Sequence, residues 1–191
     1  MSLKNQKTCS DFLEWDSTCN LIQKLERDNN NIFALLFASG IYSGLRISDI
    51  LSLTWNQVLK PEYIELTEKK TGKFRKIKIN LELKEIISRI YKKTNTAFSN
   101  LIFVNKKGNA LSRQYINREL KKIKYNYNLQ IDRISTHTFR KTFGRHVWQK
   151  NNHSEKSLIL LSELFNHSSI ATTKKYLGIR ESELQEVYEL L

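Results

Sequence analysis

The chain has 191 residues, with 32 Lys or Arg against 19 Asp or Glu and a formal net charge of +13. That length suits one domain with a sizeable core, and 40 % hydrophobic with 27 % charged residues excludes wholesale disorder. No apolar run approaches the ~20 residues needed to span a bilayer, and no secretory leader is read at the start. A surplus of one charge points to a partner of the other, nucleic acid first, since neutralised phosphates release condensed counterions. A basic surface that serves only solubility is the alternative. Cys9 and Cys19 lie ten apart with no C-x-x-C spacing, which fits a reducing compartment and neither a disulfide framework nor a zinc knuckle. A soluble, cytoplasmic protein associated with DNA is the expectation.

Proline occurs once, at Pro61, and glycine six times, so no linker or repeat divides the chain. In chain order, Ser10 is expected to cap a first helix bearing Phe12, Trp15, Leu21 and Leu25. A second helix through Ile32–Tyr42 stops at Gly44, where glycine accepts the left-handed cap. A short third carries Ile47, Ile50 and Leu51. Tyr63–Thr67 and Phe74–Asn80 then flank a Lys-Lys-Thr-Gly-Lys turn, with Ile77 and Ile79 alternating against Lys76 and Lys78, which predicts an antiparallel hairpin. Helical stripes follow at Leu83/Ile86/Ile90, Ile116/Leu120/Ile123, Phe139/Phe143/Val147 and Leu158/Leu161/Phe165. A final amphipathic helix is expected over Ser182–Leu191. The fold class is mainly α with one small β-hairpin (α+β), a single domain over 1–191 with its core at about 10–178.

Three segments carry candidate chemistry. In His137-Thr138-Phe139-Arg140, a histidine and an arginine sit one turn apart at a helix start capped by Ser135 or Thr136, which suits an anion. Alone, the pair is what any basic helix supplies. In Ser43-Gly44-Leu45-Arg46-Ile47-Ser48-Asp49, the glycine break puts Arg46 on a tight turn, with Asp49 one turn on to orient it. In Leu164-Phe165-Asn166-His167-Ser168-Ser169, a helix ends at Asn166 and His167 lies in the joint. Tyr176 follows nine residues later.

In this order and spacing, G-L-R-I-S-D-I-L, H-T-F-R and F-N-H-S-S-I-A-T-T-K-K-Y resemble the three signature boxes of the tyrosine recombinase (phage integrase) family. The resemblance extends from about Ile32 to Gly178, hairpin included. It implies the catalytic-domain fold of that family and an active site of Arg46, a hairpin lysine, His137, Arg140, His167 and Tyr176. Lys70 in the K-T-G turn matches the family position best, with Lys73 and Lys69 close enough to compete. Two departures stand out. Lys141 occupies a position where many relatives have a second histidine, usually outside the reacting shell, so little consequence is expected. Asn166 stands where glycine is frequent, which would shift His167 slightly.

The implied reaction breaks and rejoins DNA. Tyr176 attacks the scissile phosphorus to form a 3′-phosphotyrosine, with Arg46 and Arg140 on the non-bridging oxygens. His137 takes the phenolic proton, His167 donates to phosphate, and the hairpin lysine protonates the departing 5′-oxygen. No nucleotide cofactor and no metal are expected. His146 and His153 read as surface residues. Backbone phosphates are expected on Lys73, Arg113, Arg118, Lys121, Lys122, Lys124, Lys174 and Lys175. The resemblance further implies double-stranded DNA as partner, with other protomers in a DNA-assembled tetramer and accessory DNA-bending proteins. It implies no membrane. The N-terminal helical domain common in the family is expected to be absent here, and helix 182–191 would either dock on a neighbouring protomer or pack on its own domain. Two other readings share parts of this pattern: a type IB topoisomerase-like nicking-closing enzyme, and a non-catalytic DNA-binding regulator on the same scaffold.

Overall fold

The computed structural model describes residues 11–179 together with 188 and 189. In chain order the elements are α1 (Trp15–Arg27), α2 (Asn31–Ser43), α3 (Ile47–Ile50), α4 (Trp55–Leu59), β1 (Tyr63–Thr67), β2 (Phe74–Lys78), α5 (Leu81–Lys92), α6 (Arg113–Asn126), α7 (Thr136–Lys150), α8 (Glu155–Phe165) and α9 (Ile170–Leu177).

The centre of the molecule is α2. Its sequence NIFALLFASGIYS is apolar on every side, and a helix of that kind must be covered on every side. Phe33 through Ile41 are all buried, with α1, α5 and α7 packed around them. The covering helices are amphipathic: α1 turns Leu21, Ile22 and Leu25 inward, and α5 turns in Leu83, Ile86, Ile87 and Ile90. At the α2–α7 crossing stands Gly40, where an added Cβ would lie 2.5 Å from Cβ of Phe139. That close approach places the start of α7 against the turn that follows α2. A smaller apolar cluster of Leu158, Leu161, Phe165, Leu177 and Ile179 holds α8 and α9 to the far face of α7.

The hairpin is antiparallel, with Ile64 opposite Ile77 and Thr67 opposite Phe74. β2 ends at Lys78, short of the predicted Asn80, because Asn80 is needed elsewhere: its side chain accepts from Leu83 N at 2.9 Å and caps α5. The first helix likewise starts later than expected, at Trp15 after Glu14. Leu13 is tied to α7 through Thr142, whose Oγ1 accepts from Leu13 N at 3.0 Å and donates to Leu13 O at 3.1 Å. Those bonds hold the segment outside the helix, and Phe12 lies under the Arg145 guanidinium instead, 3.9 Å from its ring centroid. Ser10 lies outside the described residues. The five-residue α4 is not foreseen by periodicity, being too short to show any; a capping box between Thr54 and Gln57 starts it. The helix expected over Ser182–Leu191 also lies outside the described residues, apart from 188 and 189.

Candidate active site

Four local features bring distant side chains to one place. Gly44 ends α2 in the left-handed region (φ 62°), and the extended Arg46 then caps α3. Ser135 caps α7 by accepting from His137 N at 3.2 Å, so His137 and Arg140 lie on its first turns. Asn166 closes α8 in the left-handed region (φ 53°), which asparagine tolerates better than most residues, and the chain turns sharply at His167. Ser169 then caps α9, accepting from Thr172 N at 3.1 Å, and Tyr176 lies in its last turn.

The result is a cleft of about 600 Å³ lined by Arg46, Lys70, His137, Arg140, His167 and Tyr176, with Arg113 and Phe165 among the remaining walls. The ring centroids of His167 and His137 stand 5.2 and 6.4 Å from that of Tyr176. The Tyr176 hydroxyl oxygen is shielded from solvent. Phe165 underlies the group: its ring lies 4.2 Å from the Arg140 guanidinium, and its carbonyl accepts from Arg46 Nη2 at 3.0 Å. Arg140 is 6 % exposed. Its Nη1 donates to Gly44 O at 2.5 Å, while the buried Nη2 has no hydrogen-bond acceptor among the described residues. A buried donor left this way costs about 1–3 kcal/mol, more if charged, so an acceptor that reached Nη2 would bind favourably.

Titration follows the crowding of cations. Burial first, then the nearby Arg46, pull the Arg140 guanidinium down to about 10. His167 titrates below the ordinary histidine value through burial and then Arg140, Arg46 and Lys70. His137 is lowered too, by burial and then Arg113, Lys141, Arg140 and Lys70. The lowered values favour neutral imidazoles near pH 7, so His137 has a lone pair with which to take a proton. The His167 ring is fixed by a 3.0 Å hydrogen bond between Nδ1 and the Thr173 hydroxyl.

Asp49 does not orient Arg46 as expected. The carboxylate opposite Arg46 is Glu68, 2.7 Å from Nη1 and 2 % exposed. Asp49 is fully buried and serves the hairpin, accepting from Lys69 N at 2.9 Å. Glu68 also accepts from Thr71 Oγ1 at 2.5 Å and faces Arg75 Nε at 3.7 Å. The turn carrying the lysines is therefore hooked to the arginine corner by two buried carboxylates. Nothing in a single sequence marks Glu68, which falls just past a strand end among charged neighbours; only the fold shows that it points inward.

Of the competing lysines, Lys70 lines the cleft. The Lys73 ammonium instead donates to Asn166 Oδ1 and joins the hairpin to the α8–α9 joint. Lys69 contributes its backbone N–H to Asp49. On α6, Arg113 reaches the cleft, whereas Arg118 and Lys122 both pair with Glu119 and Lys121 is exposed. Lys175 is exposed beside the nucleophile candidate and Lys174 is half-buried. Lys141 is not remote from the cleft: it is 4 % exposed and lies by the Tyr176 ring. His146 is not a plain surface residue either, since it stacks on Trp15 at 3.6 Å between centroids. His153 is exposed, tilted against Trp148 at 4.2 Å. Among the described residues no three His, Cys, Asp or Glu side chains gather to hold a metal ion.

Glu68→Gln tests the hook. Burial alone would raise the Glu68 carboxyl, but the Thr71 hydrogen bond and the Arg46 charge outweigh it and hold the group below the usual value. A lowered folded-state value contributes stability above the unfolded value, and that stability is lost as pH falls through the folded one. Breaking a buried pair costs about 3–5 kcal/mol, and Arg46 retains some solvent, so about 2 kcal/mol is expected. That is about 6 °C in Tm near neutral pH, narrowing as the solution is acidified. Equal Tm values for the two proteins at neutral pH would contradict it.

Comparison with known proteins places this geometry. The model of the phage integrase family matches residues 12–183. A Bacillus subtilis (strain 168) protein described as "Probable integrase/recombinase YoeC" is 36 % identical over 172 residues, covering 89 % of this chain and 87 % of the relative. Tyrosine recombinase XerC of Rickettsia bellii (strain OSU 85-389) is 30 % identical over 168 residues, covering 87 % of this chain and 52 % of the relative. Thus the chain spans most of the first relative and about half of the second. The crystal structure of XerH site-specific recombinase in a post-cleavage complex with palindromic difH substrate superposes with a TM-score of 0.68 at 21 % identity, covering 98 % of this chain and 57 % of that one. The fold agrees with the one the sequence motifs imply. With its model matched over most of the length and a relative at this identity, the chain belongs to the phage integrase family, the tyrosine recombinases.

Proposed function

We propose that this chain cleaves and rejoins double-stranded DNA at specific sites through a covalent 3′-phosphotyrosine on Tyr176. The observation that carries the reading is the convergence of Arg46, Lys70, His137, Arg140, His167 and Tyr176 on one cleft in which a buried guanidinium nitrogen awaits an acceptor. A phosphodiester supplies it: the Arg46 and Arg140 forks match its two non-bridging oxygens. The Tyr176 oxygen bonds to phosphorus while the bond to the 5′-oxygen breaks. His137 receives the phenolic proton, and Lys70 delivers one to the departing 5′-oxygen. Both arginines and His167 stabilise the charge that gathers on the equatorial oxygens. A 5′-hydroxyl from a partner strand reverses the step and completes exchange. Lys73, Arg113, Arg118, Lys121, Lys122, Lys174 and Lys175 would hold backbone phosphates and give affinity without sequence information. Strand exchange also requires further protomers assembled on the DNA, and accessory bending proteins belong to the same proposal.

Similarity to proteins described as integrases and recombinases favours strand exchange over topoisomerase-like nicking and closing. Retention of all six residue types speaks against a silent regulator. Among the described residues no helix is long and apolar enough to cross a membrane. The test is a duplex nicked near the cleavage point, so that the leaving fragment diffuses away and the intermediate is trapped. A protein–DNA adduct whose nucleotide maps to the peptide containing Tyr176 is the expected product. Nucleotide on another residue, or cleavage leaving free ends and no adduct on any duplex bound, overturns the proposal.

A further inference from the structure

Lys141 is a buried lysine one residue after Arg140 and one turn after His137. Lys141 is 4 % exposed, so its side chain has given up most of its contact with water. Its Nζ lies 5.5 Å from the centroid of the Tyr176 ring, within cation–π range. The ring is brought there by Gly144, on the same side of α7: a Cβ at that position would stand 2.6 Å from Leu177 Cδ2. α9 therefore lies directly against this side of α7, with Tyr176 near Lys141.

Among the described residues, the titratable groups on the elements that meet here are mostly basic. On α7 they are His137 and Arg140; on α9, Lys174 and Lys175; at the joint, His167. Arg46, Lys70 and Arg113 join them from the turn before α3, the hairpin and α6. The carboxylate that acts on Arg140 is Glu68, already engaged with Arg46, Thr71 and Arg75. An ammonium beside a phenol attracts the ring modestly, and attracts the phenolate far more strongly. Proton loss from Tyr176 is the event for which that difference matters.

We infer that Lys141 is a further positioning residue for strand cleavage, holding the Tyr176 ring and favouring release of its phenolic proton. The inference rests on Tyr176 being the nucleophile. Its test is the single-turnover rate of adduct formation on the nicked duplex, followed from about pH 6 to about pH 10 with wild type, Lys141→Met and Lys141→Arg. Lys141→Met keeps the stem and removes the charge; its rising limb should move up by about one pH unit, making it about tenfold slower near neutrality and converging with wild type at alkaline pH. Lys141→Arg should stay close to wild type. A Lys141→Met profile superposable on wild type overturns the inference, as does an equal, pH-independent loss in both variants, which would mark a packing role.

If Lys141→Met does not fold, ¹³Cζ-tyrosine NMR of the wild type and Lys141→Gln without DNA decides, with the Tyr176 signal identified by its absence in Tyr176→Phe. A Tyr176 phenol titrating at or above the free value of about 10 overturns the inference, as does a lowered value left unchanged in Lys141→Gln; a lowered value that rises in Lys141→Gln supports it. That measurement is independent of any DNA product. A wild type that forms no adduct would count against the recombinase proposal, whereas a Tyr176 adduct with an unmoved Lys141→Met profile counts against Lys141 alone.

Discussion

Tyr176→Phe is expected to abolish the covalent DNA adduct, a fall of at least about 10⁴-fold, while DNA binding and Tm stay close to wild type. The substitution removes one oxygen and keeps the ring. That ring packs against Phe165 at 5.7 Å and His167 at 5.2 Å between centroids, contacts that phenylalanine reproduces. The loss should therefore be confined to chemistry. Both histidines beside the ring titrate below the ordinary histidine value through burial and neighbouring cations, so the proposed base keeps its lone pair near pH 7 with nothing to deprotonate. Denaturing gels of the trapped reaction measure the adduct, and gel shift measures binding. Persistence of the adduct at even a hundredth of the wild-type rate would remove Tyr176 as nucleophile.

Arg140→Lys should slow adduct formation by about 10²–10³-fold although the charge is kept. The guanidinium does three things at once in the wild type. Nη1 holds Gly44 O, the guanidinium lies 4.2 Å from the Phe165 ring centroid, and the buried Nη2 would, on the proposed function, take the phosphate. A lysine ammonium is a point donor on a flexible stem and cannot bond the Gly44 carbonyl and present a fork to phosphate together. With its value lowered to about 10, Arg140 is still charged at neutral pH, so charge is not what the substitution changes. Non-covalent DNA affinity, spread over many basic side chains, should change only a few-fold. A variant within threefold of wild type in single-turnover cleavage would show that the fork at this position is not used.

The sequence alone settles the things that depend on neighbours in the chain. Apolar spacing placed most of the helices, Gly44 ended α2, Ser135 or Thr136 was marked as the cap of α7, and the alternation around the K-T-G turn gave the hairpin. All are local: a cap or a periodic stripe needs only a few consecutive residues to express itself. The three motifs and the hairpin turn also named six of the residues that line the cleft, because their order and spacing resemble those of a known family.

What tertiary structure decided is which side chains meet across long separations. Glu68 rather than Asp49 faces Arg46, because the hairpin folds back over the arginine corner. Lys70 enters the cleft while Lys73 is drawn to Asn166, 93 residues further along the chain. Leu13 leaves the first helix to bond Thr142, 129 residues away. Lys141 lies beside Tyr176 because Gly144 lets two helices touch. Charged side chains carry no periodicity that tells an inward carboxylate from a solvated one. Their partners are fixed only once the buried faces of the helices have chosen how to pack, and it is that packing, not residue type, that gives each charge its role.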